Sequence, residues 1–275
     1  MDDLNTGTVD QDVLRKARNL AERTAYEAGA LLRERVKTER VVTHKGTVDL
    51  VTDADEESER LISSALAEAF PDFRLTGEEG ATGASESDYG WLIDPIDGTT
   101  NFAHGYPHFA VSICLEFQGV PVVGVVYDPM RDEMFTGAEG QGATLNGVPI
   151  RVSKTETLIG ALGATGFSYD VGAREEGAAL WATFNDRLQG LRRDGAAALN
   201  MVWVAAGRLD AYWERPTNAW DIGAGVVIAR ESGATVTSLE GHPYQLHETE
   251  VTCTNGLLHE QVVTLVRETL AELRG

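Results

Sequence analysis

The sequence predicts a mixed α/β protein in two closely joined parts: an α+β half over residues 1–152 and an α/β half over residues 153–275. Three observations carry this. The first half opens with two stretches of helical periodicity and then turns to β-rich runs joined at turn dipeptides. The second half alternates strands with apolar helices. No repeat, low-complexity tract or linker separates the halves, so they are expected to share one interface.

From about Thr8 to Val36, apolar residues (Val13, Leu14, Ala17, Leu20, Ala21, Ala28, Leu31, Leu32) recur at three- and four-residue steps, an amphipathic helix. Val41 to Thr43 reads as a strand and Lys45-Gly46 as a turn. Asp53 with Glu56 resembles a capping box opening a second helix, whose face is Leu61, Ile62, Ala65, Leu66 and Ala69 and which Pro71 ends. Asp49, Asp53 and Asp55 cluster at its start, where the helix dipole favours carboxylates anyway. Spacing alone does not say which of them reaches a functional site. A short strand, Phe73 to Thr76, leads into Gly77-Glu78-Glu79-Gly80, which by itself fits a solvated turn, and Ala81 to Asp88 reads as an exposed loop. The runs Phe109 to Phe117 and Val120 to Tyr127 form a hairpin through Gln118-Gly119. Met134 to Thr136 continues the meander, which returns through Asn146-Gly147.

In the second half, Leu158 to Thr165 reads as a strand and Ala173 to Leu188 as a helix. Ala196 to Ala206 is a nearly all-apolar helix ended by Gly207, and Leu209 to Glu214 a strand. Asn218 to Ser232 is a second apolar helix stopped by Gly233. Strands near Ala234 to Ser238 and Glu250 to Thr254 precede a closing helix, Leu257 to Leu273.

Composition narrows the function. Formal charge is −20, from 43 acidic and 23 basic residues. That argues against nucleic-acid and membrane-surface partners, which need basic patches. It also makes an anionic substrate awkward unless bound cations reverse the local field. No apolar run approaches a membrane span, and the first residues are acidic, so a cytoplasmic protein is expected. Cys114 and Cys253 lie in strand-like surroundings and read as buried, reduced thiols.

The most informative stretch is Trp91 to Gly105, WLIDPIDGTTNFAHG. Trp91, Leu92 and Ile93 read as a strand entering a buried sheet, stopped by Pro95. Asp94 and Asp97 at its mouth repel each other and are costly to desolvate unless cations sit between them. The same residues also fit a polar turn after a strand. Asp221, beside Trp220 at the start of an apolar helix, either caps that helix or faces something positive. Thr217 or Asn218 already supplies a cap, which favours the second reading. Glu214 ends the preceding strand, so the two carboxylates can meet at one sheet edge. Glu78, Asp94, Asp97, Asp221 and the Ile96 carbonyl form an all-oxygen donor set that suits Mg²⁺ and not zinc.

The stretch WLIDPIDGTTNFAHG resembles the signature of the inositol monophosphatase family of Mg²⁺-dependent, lithium-sensitive phosphatases, and WDIGAGVVIARESGA at Trp220 to Ala234 resembles its second signature. GEEG at Gly77, VDLVTDAD at Val48 and GRLDAYWE at Gly207 fall in the expected order. The resemblance implies a layered αβαβα sandwich of the inositol monophosphatase and fructose-1,6-bisphosphatase type, a homodimer, and two or three Mg²⁺ ions. It implies Glu78, Asp94, Ile96, Asp97 and Asp221 as metal ligands. Thr99 with Glu78 would orient and deprotonate a water, Asp55 would support Thr99, and Lys45 matches a basic position near the metals. Asp97, Gly98 and Thr99 would hold the phosphate, while Arg193, Ala196, Glu214 and Asp221 would face the alcohol. Ala196 and Asn200 depart from residues common in relatives. The implied reaction is hydrolysis of inositol monophosphate or a similar small polyol phosphate. The alternatives are histidinol phosphate, fructose 1,6-bisphosphate or a 3′-phosphonucleotide as substrate, or a non-catalytic metal- or phosphate-binding regulator on the same fold.

Overall fold

Helix α1 (Gln11–Arg35) buries one stripe, Leu14, Ala17, Leu20, Ala21, Ala25, Ala28 and Leu32, and Asp10 caps it by accepting the Asp12 N–H at 2.8 Å. The computed structural model describes residues 9–38, 42–44, 50–84, 86–168, 170 and 174–274. Thr8, Val41, the Lys45-Gly46 turn, Asp49 and Ala173 lie outside the described residues.

A small antiparallel pair, β1 (Val42–His44) with β2 (Leu50–Thr52), precedes α2 (Asp53–Ala69). The capping box of α2 sits one residue earlier than the sequence suggested. Thr52 is the N-cap, and Asp55 rather than Glu56 reaches back to it. Asp53, expected at the cap, instead pairs with Arg35 at 3.5 Å.

Seven strands follow in one sheet: β3 (Arg74–Gly77), β4 (Tyr89–Asp97), β5 (Ala110–Phe117), β6 (Val120–Asp128), β7 (Glu133–Ala138), β8 (Gly142–Leu145) and β9 (Val148–Pro149), with the short helix α3 (Thr99–Ala103) after β4. Neighbours in the sheet are neighbours in sequence, and every pairing is antiparallel except β3 with β4. Pro95 does not stop β4. The strand continues to Asp97 through a register shift, with Asp94 opposite Ser112 and Asp97 opposite Ala110. A proline has no N–H to give a ladder, and a register shift is where a sheet tolerates it.

The second sheet has the order β11–β10–β12–β14–β13, formed by β10 (Leu162–Thr165), β11 (Gly190–Arg192), β12 (Ala211–Glu214), β13 (Thr235–Thr237) and β14 (Val251–Thr254). Between these strands run α4 (Arg174–Asn185), α5 (Ala197–Ala205), α6 (Ala219–Ser232) and finally α7 (His259–Arg274). Leu158 to Gly160, expected as strand, is a 3-10 turn, and β11 carried no periodic signal because it is only three residues long.

The layers follow from the pleat. Val111, Ile113 and Leu115 of β5 pack with α1 and α2, whereas Ala110 and Cys114 pack with α5 and α6. The other face of α5 and α6 meets the second sheet, whose far side is closed by α4 and α7 around Phe184, Trp213, Val262 and Val266. The order is thus helices, seven-stranded sheet, helices, five-stranded sheet, helices. Both cysteines are buried and free. Among the described residues no helix is long and apolar enough to cross a membrane.

Two expectations test this packing. Gly124 of β6 lies so close to α6 that a Cβ would stand 2.2 Å from the Ala224 carbonyl oxygen. Gly124→Ala should therefore lower stability to urea by at least the ~1–3 kcal/mol of an overpacked core. His259 is buried between the Thr237 and Thr254 hydroxyls, each 3.1 Å from a ring nitrogen. Burial holds its pKa below the ordinary 6.5, with Glu260 opposing. The unfolded chain then takes up the proton first as pH falls, so the stabilisation is present above about 6.5 and is lost below it. Urea titrations from pH 7.5 to 5 should show the stability difference between the wild type and His259→Gln shrinking with acidification.

Candidate active site

Strand β4 organises the site. Trp91 and Ile93 face α1 and α2, and Leu92 faces α5 and α6. Asp94, two residues on from Leu92, therefore points to the central helices and is 3% exposed. Opposite it on β5, the Ser112 hydroxyl donates to the Trp220 carbonyl at 3.2 Å, which holds the start of α6, and with it Asp221, beside Asp94. The register shift then turns Asp97 toward α5. Its carboxylate accepts the Ala197 and Ala198 N–H groups at 2.8 and 2.9 Å and caps that helix from a different half of the chain.

Glu78 arrives from the other side. β3 runs parallel to β4, and the Glu78 N–H donates to the Ile93 carbonyl at 3.1 Å. The loop is held by Glu59 of α2, whose carboxylate accepts the Glu79 and Ala81 N–H groups, both at 2.8 Å. The sequence reading passed over Glu59. Its signal was an acid three residues before Ile62 on the buried stripe of α2, where an apolar side chain is the rule.

Asp55 is fully buried. One oxygen accepts the Thr52 N–H and hydroxyl at 2.7 and 2.6 Å, and the other accepts the Thr99 hydroxyl at 3.0 Å. The Thr99 oxygen also stands 3.0 Å from the Ile96 carbonyl. Burial lifts the Asp55 carboxyl to about 6, against the pull of these hydrogen bonds.

Glu78, Asp94, Asp97 and Asp221 share one wall of a cavity of about 270 Å³, with Ile96, Gly98 and Thr99 beside them. Asp221 accepts the Asn218 N–H at 2.7 Å as part of the α6 cap, the capping role the sequence offered, and it also lines this wall. Glu214 and Arg193 lie on the cavity wall as well, with Phe167, Ser168 and Asp170, a loop the sequence did not mark. Ala196 does not line the cavity. It is 1% exposed, behind the Gly98 turn, while Gly195 and Ala197 on either side reach the surface of the cavity. Asn101 ties the turn to this segment, its amide donating to the His108 and Asp194 carbonyls at 2.7 Å each. Asn200, the second departure, is buried in α5. Lys45 lies outside the described residues.

Burial drives the Asp94 carboxyl well above the usual carboxylate range, and Glu78, Asp97 and Asp221 push it further. Burial and Asp221 do the same to Asp97, opposed by the α5 amides. Among the described residues that line the cavity, Arg193 is the only cation. No three His, Cys, Asp or Glu side chains among the described residues are arranged to hold a metal ion by themselves. A hard cation such as Mg²⁺ does not require one, since it keeps several waters and shares its remaining positions with one or two carboxylates and a phosphate. The donor set is all oxygen and its negative charge is offset only in part by backbone amides and Arg193, so the residues fit such an ion.

The sequence model of the inositol monophosphatase family matches residues 13–271. An inositol-1-monophosphatase of Synechocystis is 44% identical over 216 residues, 78% of this chain and 75% of that protein. Among solved structures, the extragenic suppressor protein suhB from Bartonella henselae superposes with a TM-score of 0.88 at 35% identity, covering 91% of this chain and 98% of the other. The inositol monophosphatase from Anabaena superposes with a TM-score of 0.85 at 39% identity, covering 93% and 96%. Matched by the family model over almost its whole length and by the fold of solved relatives, the chain belongs to the inositol monophosphatase family of metal-dependent phosphatases.

Proposed function

We propose that the protein is a Mg²⁺-dependent phosphomonoesterase acting on inositol monophosphate or a similar small polyol phosphate. The single observation that carries this is the meeting of Glu78, Asp94, Asp97 and Asp221 on one cavity wall, beside the Asp55–Thr99 pair. Glu78, Asp94, Asp97, Asp221 and the Ile96 carbonyl would hold two or three Mg²⁺ ions. When bound, these supply charge neutralisation for the phosphate, a water of lowered pKa and stabilisation of the departing alkoxide.

The chain's own residues carry the rest. The Thr99 hydroxyl has one proton, directed to Asp55 or to the Ile96 carbonyl, which leaves its lone pairs to accept a hydrogen bond from the attacking water, whose proton would pass to the Glu78 carboxylate. Glu78 orients that water from the opposite strand. The Gly98-Thr99 turn presents backbone N–H groups to the phosphate, and Asn101 holds the turn in place. Arg193 and Glu214 face the alcohol. Relatives bearing the inositol monophosphatase name favour inositol phosphate over histidinol phosphate, fructose 1,6-bisphosphate or a 3′-phosphonucleotide. The near-complete set of ionisable groups argues against a non-catalytic regulator. A homodimer and a cytoplasmic location complete the reading; free cysteines suit a reducing compartment.

Asp94→Asn should lower Mg²⁺-dependent phosphate release by at least about a hundredfold while circular dichroism and urea unfolding remain those of a folded protein. Turnover equal to the wild type would remove the proposed metal site. Lithium should inhibit at subsaturating Mg²⁺, and full activity in its presence would show that the cation sites differ from those inferred. In a panel of phosphate esters, hydrolysis of a nucleotide far faster than of inositol monophosphate would overturn the substrate.

A further inference from the structure

Glu214 is the last residue of β12, where the strand opens onto the cavity. Tyr212 precedes it by two residues and so projects from the same face of the strand. Its ring is fully buried, and its hydroxyl donates to Glu214 Oε2 at 2.6 Å. Burial, together with the neighbouring carboxylates of Glu214, Asp97 and Asp221, holds the phenol in its protonated, donating form. The intervening Trp213 points the other way and stacks on Phe184 with ring centroids 3.8 Å apart, which keeps the strand from rotating.

The opposite side of the carboxylate is closed by backbone. Gly166 follows β10, the strand paired with β12, and a Cβ built there would lie 2.0 Å from the Glu214 carboxyl carbon and 2.0 and 2.1 Å from its two oxygens. The carboxylate thus occupies the space that any other residue at position 166 would take. Oε2 has its donor, and Oε1 keeps acceptor capacity. Burial pushes the Glu214 carboxyl above the usual carboxylate range, and the Tyr212 hydrogen bond and Arg193, also on the cavity wall, oppose that shift in favour of the ionised form.

We propose that Tyr212 and Gly166 are positioning residues that lock Glu214 as a directional hydroxyl acceptor, so that the site selects phosphate esters whose alcohol carries a further free hydroxyl. This rests on the phosphatase reading above. An alcohol with a hydroxyl at that wall completes the hydrogen bonding of Glu214. An ester without one leaves a desolvated carboxylate short of a donor, the arrangement by which a polar site rejects an analogue that lacks the group.

The test compares inositol monophosphate with p-nitrophenyl phosphate, whose alcohol has no second hydroxyl, using Mg²⁺-loaded enzyme. Tyr212→Phe should lower the ratio of kcat/KM for inositol monophosphate to that for p-nitrophenyl phosphate by about tenfold, mainly through KM. Gly166→Ala should lower the same ratio by displacing the carboxylate, and it serves alone if Tyr212→Phe fails to fold. In a Glu214→Ala background, Tyr212→Phe should leave the ratio where Glu214→Ala put it. A parallel fall for both esters would overturn the proposal, as would a further drop of the ratio in the Glu214→Ala background. Wild-type enzyme that hydrolyses neither ester would instead overturn the phosphatase reading and the proposal with it.

Discussion

Asp94 is buried on the inner face of β4 while Glu78, Asp97 and Asp221 all bear on it electrostatically. Like charges gathered out of water are unstable unless something opposes them, and the architecture supplies part of the opposition through helix N-termini. Asp97 accepts the first N–H groups of α5, Asp221 closes the cap of α6, and Asp55 closes the cap of α2. Each acid thereby sits where a helix dipole favours negative charge. Peptide dipoles do not neutralise four carboxylates, and the remaining deficit is the physical ground for the proposed cation site on a protein with a formal charge of −20.

Several contacts join this arrangement to residues beyond position 152. Asp97 belongs to the first sheet but caps a helix of the second half. Ser112 of β5 holds the carbonyl of Trp220. Asn101 reaches across to the Asp194 carbonyl. The middle layer, α5 and α6, is mostly apolar because it is sandwiched between two sheets, and the cavity lies at its N-terminal ends. The site is thus distributed by charge. β3, β4 and the α6 start contribute the acids, while the rim of the second sheet contributes Arg193 and the Tyr212–Glu214 pair.

Much of this was legible in the residues. The periodicities of α1, α5, α6 and α7 and the β-rich runs of β5 and β6 were long enough to declare their type, and the order of motifs pointed to the family and its five layers. Short elements were not legible. β11 and β9 have three and two residues, too few for a pattern to accumulate, and they exist because neighbouring strands offer hydrogen-bond partners. Pro95 misled because a proline ends a regular strand, whereas here it falls in a register shift. The α2 cap was displaced because Asp53 has Arg35 as a partner, a contact between two helices that spacing cannot reveal.

Legible from the residues alone were the candidate groups: oxygen-bearing side chains, two aspartates flanking a Pro-Ile pair, a glycine-threonine turn, and an acid at the start of an apolar helix. These are local properties of side chains and their neighbours in the chain. Only the tertiary structure decided which acids do what. Asp55 meets Thr99, as the resemblance implied, whereas Asp53 pairs with Arg35 of α1. Ala196, next to two lining residues, is turned away from the cavity. Glu59, an acid on the buried stripe of α2, clamps the loop that carries Glu78. Tyr212 and Gly166 matter only because β10 and β12 pair side by side. Orientation, burial and contact between residues distant in the chain arise from packing, and no local pattern encodes them.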